Sequence, residues 1–465
     1  MNRNSTKRVE MLASGSIGKT LFSLSAPAIA GMLVIAIYNV VDTFFVSLLR
    51  DTTAIAATGV VFPLFQLIGA IGLTFGMGAA SVISRRLGAG DHDAANQAGA
   101  TAFYTSLVVG LGFSIAGAVF IEPLLSLFGA TDSILAEALL YGRVIVGGSV
   151  FQVLNMTINN VLRSEGAALH SSTGQIIGAL LNIALDPIFI FVLDMGVTGA
   201  AVATVISQAV ATLYLLGYYV LKRGALAPLD PRHIRVNAAT YGALMALGVP
   251  TFVRQILGSV SFGVLNNAAG AYGDSAIAAV SVVLRLFMLL FMTLIGLAHG
   301  LQPLAGYNYG AKQFGRVRES IRLVFTVVVI GGTVAGAASF ALAPAIMRIF
   351  APQDPAVISM GSLAMRMTAV SIVPVGMVVM FGGIFQALGD GRSALLLAAG
   401  QQGLFLIPLV LILPRFFGLS GVFAAQPAGF VLAFFVGMLL LRNAYRKLRR
   451  EEAELTVEPV PSAAG

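Results

Sequence analysis

The sequence predicts an all-α polytopic membrane protein of twelve transmembrane helices in two pseudo-symmetric six-helix bundles. Composition is the first reason. Hydrophobic residues are 57% of the 465 and charged residues 10%, and the mean hydropathy is +0.90. A soluble domain carries about 25% charge, so a soluble enzyme with one large core is excluded. Length is the second reason. The apolar residues fall in runs of about 20, the size a bilayer demands, and in lipid only helices satisfy the backbone of such runs. Repetition is the third. LSAPAIAG at 24–31 lies opposite LGVPTFVR at 247–254, AIAA at 54–57 matches 276–279, RRLGAGD at 85–91 lies opposite NYGAKQF at 308–314, and GVTGAAVA at 196–203 lies opposite GLSGVFAA at 418–425, all at an offset of 222 or 223 residues.

Taken in order, a polar, basic tail (1–19) runs straight into the first apolar span, without a cleavable signal. Spans 1–6 at 20–48, 54–83, 97–121, 134–160, 168–192 and 197–221 make an N-lobe, 20–221. The linker 222–238, KRGALAPLDPRHIRVNA, is too polar to cross a membrane. Spans 7–12 at 239–270, 276–304, 320–344, 357–386, 393–414 and 417–441 make a C-lobe, 239–441. Residues 442–465 read as a polar, mobile tail. Six helices per repeat is an even number, so both lobes keep one orientation and are related by an axis along the membrane normal.

Charge placement orients the chain. The two tails and the loops after spans 2, 4, 6, 8 and 10 hold or border 21 of the 28 Lys and Arg, and the opposite loops hold Arg50, Arg348 and Arg415. Basic loops stay cytoplasmic, which puts both termini there, in a plasma (inner) membrane. The net charge of +8 is therefore topological and implies no nucleic-acid partner. There is no cysteine, hence no disulfide or thiolate metal site. No P-loop, serine elbow or His/Asp metal cluster occurs, so neither catalysis nor a cofactor is expected, and uphill work must draw on an ion gradient.

Polar residues inside spans are costly, so they mark function. Two acids lie deep: Asp42 in IAIYNVVDTFF and Asp186 in LLNIALDPIF. Their repeat counterparts are Leu265 and Leu409 (or Pro408), so the bundle does not need them. Asn182 and Asp186, four apart, share a helix face. Pro187 cannot donate to the carbonyl of Ile183, and Pro27 likewise frees that of Ser23, so both helices are expected to bend. Free carbonyls, an amide and carboxylates together suit Na⁺ or H⁺ near the midplane. A proton asks only for a carboxyl in a dry site, where desolvation favours the neutral form. The plain alternative is an ion pair with Arg254 or Arg285. Arg254, Arg285 and Arg366 are candidate substrate or lobe contacts; Arg143 reads as a snorkelling residue and His299, near a span end, as structural.

Several segments, in order and within this two-fold repeat, carry a resemblance: PAIAGMLVIAIYNVVDTFFVS (27–47), GMGAASVISRRLGAGD (76–91), NNVLRSEG (159–166), LLNIALDPIFIFVLDMGVTGAAVATVISQ (180–208) and QPLAGYNYGAKQFGRVRE (302–319). Over about 17–441 the chain resembles the multidrug and toxic compound extrusion (MATE) family, closest to its DinF-like branch, which includes pumps of the MepA type. The resemblance implies a cation-coupled antiporter that rocks between two open states and exports lipophilic, often cationic drugs across the lipid bilayer. One chain holds both lobes, so a monomer is expected to suffice. It implies that Asp42 is the first-helix acid of the coupling site, with Tyr38 one turn earlier, Asn182 and Asp186 the fifth-helix pair, Thr204 a sixth-helix hydroxyl, and Asn159 or Asn160 a fourth-helix amide. Na⁺, if it is the ion, would sit among Asp42, Asn182, Asp186 and Thr204. The NorM-like branch carries second-lobe acids, whereas spans 7 and 10 here have no Asp or Glu. A lipid-linked precursor or polysaccharide flippase of the same superfamily is the competing reading; it would want a cationic cavity.

Overall fold

The computed structural model describes residues 3–49, 51–221, 225–350, 352 and 354–457. Arg50, residues 222–224 of the expected linker and the tail beyond 457 lie outside the described residues. All twelve expected spans are helical. α1 (Arg3–Ala13) precedes them. The N-lobe follows as α2 (Ile17–Leu48), α3 (Thr52–Gly88), α4 (His92–Leu127), α5 (Asp132–Gly147), α6 (Ser149–Ser164), α7 (Ala168–Pro187) and α8 (Gly196–Val220). The C-lobe is α9 (Ala238–Gly270), α10 (Asp274–Gly310), α11 (Phe314–Phe350), α12 (Pro355–Val370), α13 (Ile372–Leu388), α14 (Gly391–Ala399), α15 (Ile407–Phe417) and α16 (Leu419–Val457).

Two spans are broken. α5 and α6 meet at 45° and α12 and α13 at 50°. These are the fourth span of each repeat, so the break is duplicated with the lobe. Spans 5 and 11 instead pass through a π-helical turn, Ile188–Val192 after Pro187 and Gly400–Leu406 before Pro408. Proline removes one ladder donor, and a wider π-turn absorbs the mismatch. α2 runs unbroken through Pro27.

The tails differ from expectation. The N-terminal tail contains a helix, and its Leu12 is wholly buried in the core shared by the lobes. Asn308 and Arg316 of the C-lobe donate to the Leu12 carbonyl at 3.0 and 3.3 Å, and Arg316 donates to that of Gly15 at 2.8 Å. Gly166 of the N-lobe packs against Leu12 and Arg8. α1 therefore bridges the lobes. At the other end, residues 442–457 continue α16 rather than forming a loose tail. Glu452 takes both guanidinium nitrogens of Arg318 at 2.5 and 3.0 Å, and Lys447 and Glu451 pair one turn apart.

The lobes touch only in part. In the half nearer the basic loops, one core draws on both: Leu21, Leu24, Ile83 and Leu87 from the N-lobe, Leu244, Leu301, Ile384 and Phe385 from the C-lobe. Glycines bring backbones together there. A Cβ on Gly88 would stand 1.9 Å from the Tyr307 carbonyl oxygen, and one on Gly310 1.8 Å from that of Arg85. Gly296 and Gly300 of α10 lie on Ile29 and Ser25 of α2. In the opposite half each lobe has its own core: Ala57, Val61, Leu64, Ile121 and Leu125 in one, Leu265, Ala279, Met347 and Val422 in the other. The molecule is a V, closed at the basic end and open at the other.

At the basic end, outside the spans, Glu165 is wholly buried. Its carboxylate accepts from the Leu226 backbone N–H at 2.8 Å and the Tyr219 hydroxyl at 3.2 Å. Burial nevertheless pushes its pKa up from 4.5 to about 7. The folded state thus binds the proton more tightly than the unfolded chain, so stability falls as pH rises from 4.5 towards 7. Glu165→Gln should flatten this slope and recover roughly 3 kcal/mol at the alkaline end. Chemical denaturation in detergent at pH 5 and pH 8 checks it; an unchanged slope sinks it.

Candidate functional site

The two span acids meet inside the N-lobe. α2 packs along α7, and the carboxyls of Asp42 and Asp186 come within hydrogen-bonding reach of each other. Asp186 is wholly buried. Asn182, one turn earlier, donates to Asp186 Oδ1 at 3.1 Å and to Thr204 Oγ1 at 3.3 Å, tying α8 to the pair. The phenols of Tyr38 and Tyr141 stand beside both carboxyls. Three buried oxygens in this cluster have no hydrogen-bond partner among the described residues: Asp42 Oδ1, Asn182 Oδ1 and Asp186 Oδ2. The Ser207 hydroxyl, one turn from Thr204 on α8, is another.

An orphaned buried acceptor costs about 1–3 kcal/mol, more when charged. Two facing carboxylates add repulsion. The alternative ion pair with Arg254 or Arg285 does not form: no ion pair among the described residues includes Asp42 or Asp186. The unpaired acceptors therefore fit a bound cation. One proton shared between the carboxyls would satisfy two of them. Na⁺, which asks for about six oxygens, would find Asp42, Asp186, Asn182 and Thr204, and would need water besides.

The site lies towards the open end of the helices that carry it. Asp186 is the penultimate residue of α7, six residues short of the end of its span, and Asp42 lies six residues before the end of α2. At 1.5 Å per residue both sit about 9 Å below the rim of the open half. An apolar plug covers them there. Ile190 from the π-turn packs with Val46 and Ala200, bordered by Phe45, Leu49 and Tyr141, and Phe45 and Phe191 meet edge to face at 6.4 Å. Gly199 abuts the backbone of Phe189, which holds the π-turn down. The turn after Pro187 thus seals the carboxyls from the rim.

Other expected residues stand elsewhere. Asn159 accepts from Ser171 and donates to Asn155, and Asn160 donates to the Met156 carbonyl and abuts Gly76. Ser171 precedes Asn182 by about 16 Å along α7, so neither asparagine reaches the acids. Both are buried helix-packing amides. Arg366 lies over the Phe340 ring at 5.5 Å and donates to its carbonyl, tying α12 to α11. Arg254 stands beside His299, which takes a hydrogen bond from Arg163 across the lobes. Arg285 is exposed. It lies eleven residues before Gly296, hence on the α10 face that meets α2 lower down, and so looks into the open cleft. Tyr141 and Ser207 were not foreseen. Both sit in apolar sequence, and only the packing of α5 on α8 and of α8 on α7 brings them in.

Comparison with known proteins accords with this geometry. The MatE family profile matches residues 27–188 and 250–412, one segment in each lobe. The Multidrug export protein MepA of Staphylococcus haemolyticus (strain JCSC1435) is 28% identical over 440 residues, covering 95% of this chain and 96% of that protein. A solved structure described as the outward-facing conformation of a multidrug resistance MATE family transporter of the MOP superfamily superposes with a TM-score of 0.89 at 28% identity, over 96% of this chain and 99% of that one. A second, a MOP superfamily transporter from Pyrococcus furiosus described as having a binding pocket of reverse polarity that suggests a different function, gives 0.88 at 28%, over 95% and 99%.

Asp42→Asn would give Asp186 Oδ2 a donor and remove the like-charge contact. It is expected to raise stability near neutral pH by about 1 kcal/mol or more, read as a higher melting temperature in detergent. A fall of several degrees would mean that the acids hold the lobe together.

Proposed function

This chain belongs to the MATE family, and on that premise we propose that it is a proton-coupled multidrug efflux antiporter. The basic loops face the cytoplasm in this reading, the protein lies in the plasma membrane as a monomer, and the V opens outward. The observation that carries the coupling is the buried carboxyl pair without a counter-cation. Left ionised, the pair repels itself in a dry site, and the N-lobe is costly to keep packed. A proton from outside, shared between Asp42 and Asp186, removes the cost. Tyr38, Tyr141, Asn182 and Thr204 orient the pair. The π-turn after Pro187 can then repack α7 against α2, and the N-lobe's grip on a drug in the cleft changes with it. The chain works as a carrier and makes or breaks no bond of its substrate. Its relatives export multiple drugs, and a lipophilic cation in the cleft would feel the charge of the pair without touching it. Na⁺ is the second candidate ion, at the same four residues.

A flippase for an anionic lipid-linked precursor is favoured by one feature, the cations Arg285, Arg254 and Arg163 along the lobe interface. The deciding assay is ethidium efflux from proteoliposomes under an imposed pH gradient or Na⁺ gradient. A pH gradient alone should drive it, and Asp42→Asn and Asp186→Asn should each lower the rate at least tenfold while the protein still elutes as one species. Normal pumping by both variants would make the acids structural. Efflux driven by Na⁺ alone would name the other ion, and none under either gradient would favour the flippase.

A further inference from the structure

The seam between α11 and α16 at the basic end is not used by the transport cycle proposed above. Both helices pack on α13, which lies behind them. Phe381 of α13 forms the floor, edge to face with Phe325 of α11 at 5.7 Å and stacked on Phe434 of α16 at 6.1 Å. In front is a groove of about 430 Å³ lined by Arg322, Phe325, Thr326, Val329, Ile330 and Tyr445. A second hollow of about 440 Å³ continues the seam, lined by Arg318, Arg449, Glu452 and Ala453. One is mostly apolar, the other charged. Glu452 is consumed by its bidentate pair with Arg318. Arg322 and Arg449, both exposed, make no ion pair among the described residues.

We propose that this seam binds one anionic phospholipid from the leaflet on the basic side. Depth fits the assignment. Arg322 is one turn inside Arg318, and Ile330 is about 12 Å further along α11. A phosphate held between Arg322 and Arg449 would leave an acyl chain lying over Phe325, Val329 and Ile330. The tyrosine at 445 stands at the level where head groups meet chains, the place its amphipathic ring prefers. Basic hollows between membrane helices on the cytoplasmic side recognise such head groups. A zwitterionic lipid would offer the same chain and a cancelled charge, so the arginines supply the selectivity. An occupant would bridge α11 and α16 directly, adding to the links through α12, α13 and the Arg318–Glu452 pair.

The test uses the full chain, delipidated in neutral detergent. Native mass spectrometry and melting temperature are followed as dioleoyl phosphatidylglycerol, dioleoyl phosphatidylcholine or inorganic phosphate is titrated. Phosphatidylglycerol should bind saturably, one per chain, roughly thirtyfold tighter than phosphatidylcholine, the weight of two arginines. R322Q with R449Q should abolish the preference. I330W, which fills the groove, should weaken both lipids, and R348Q at the far end of α11 should change nothing. The proposal fails if the two lipids bind alike, if the double variant keeps its preference, or if phosphate alone saturates the site as tightly.

Discussion

Two carboxyl groups set face to face, Asp186 wholly buried and Asp42 half-buried, with no ion-pair partner among the described residues, are the constraint that organises this molecule. A protein can tolerate such a pair only if something else completes it or if the surrounding helices can move. Both conditions are visible. Asn182 and Thr204 steady the pair without neutralising it. The helix that carries Asp186 gives way to a π-turn at the next residue but one. The second lobe has apolar residues at the matching places, Leu265 and Leu409 or Pro408, and carries no such tension.

The pair acts on a V-shaped frame. Its closed end is a common core plus α1, which is hydrogen-bonded to the C-lobe and packed on the N-lobe. Its open end is two separate cores. α2 joins the two ends: it runs unbroken for 32 residues, carrying Asp42 near one end and meeting the α10 glycines further back. Glu165 adds a second buried acid at the closed end, outside the spans, where the linker and α8 are joined. The two acid sites lie at opposite ends of the N-lobe.

Much of this was legible in the sequence because lipid imposes a simple rule. Apolar runs become helices whatever their order, so the spans and the duplication followed from hydropathy and internal alignment. The acids stood out for the same reason, as costly exceptions. What stayed hidden depends on packing between helices. Nothing in GRVIVGGSV announces a 45° break at Gly148. Leu12 is one apolar residue in a polar segment, and only its place between the lobes makes it core. Asn159 and Asn160 looked like site residues because buried amides are scarce, yet helix-to-helix bonding claims both. Arg366 looked free to meet a substrate, but the Phe340 ring holds it.

The glycine seam at the closed end has a consequence for which changes this protein can survive. Where Gly88 meets Tyr307 and Gly310 meets Arg85, the lobes touch backbone to backbone, through carbonyl oxygens. A backbone contact of this kind has no side chain that can turn aside and leaves no slack. Deleting atoms from the neighbouring side chains opens a small gap, whereas adding a single methyl at either glycine wedges the lobes apart over their whole contact. The inactivating lesions at this end of the molecule are thus gains of one carbon, and a variant library would show intolerance there to alanine, the residue most surfaces accept.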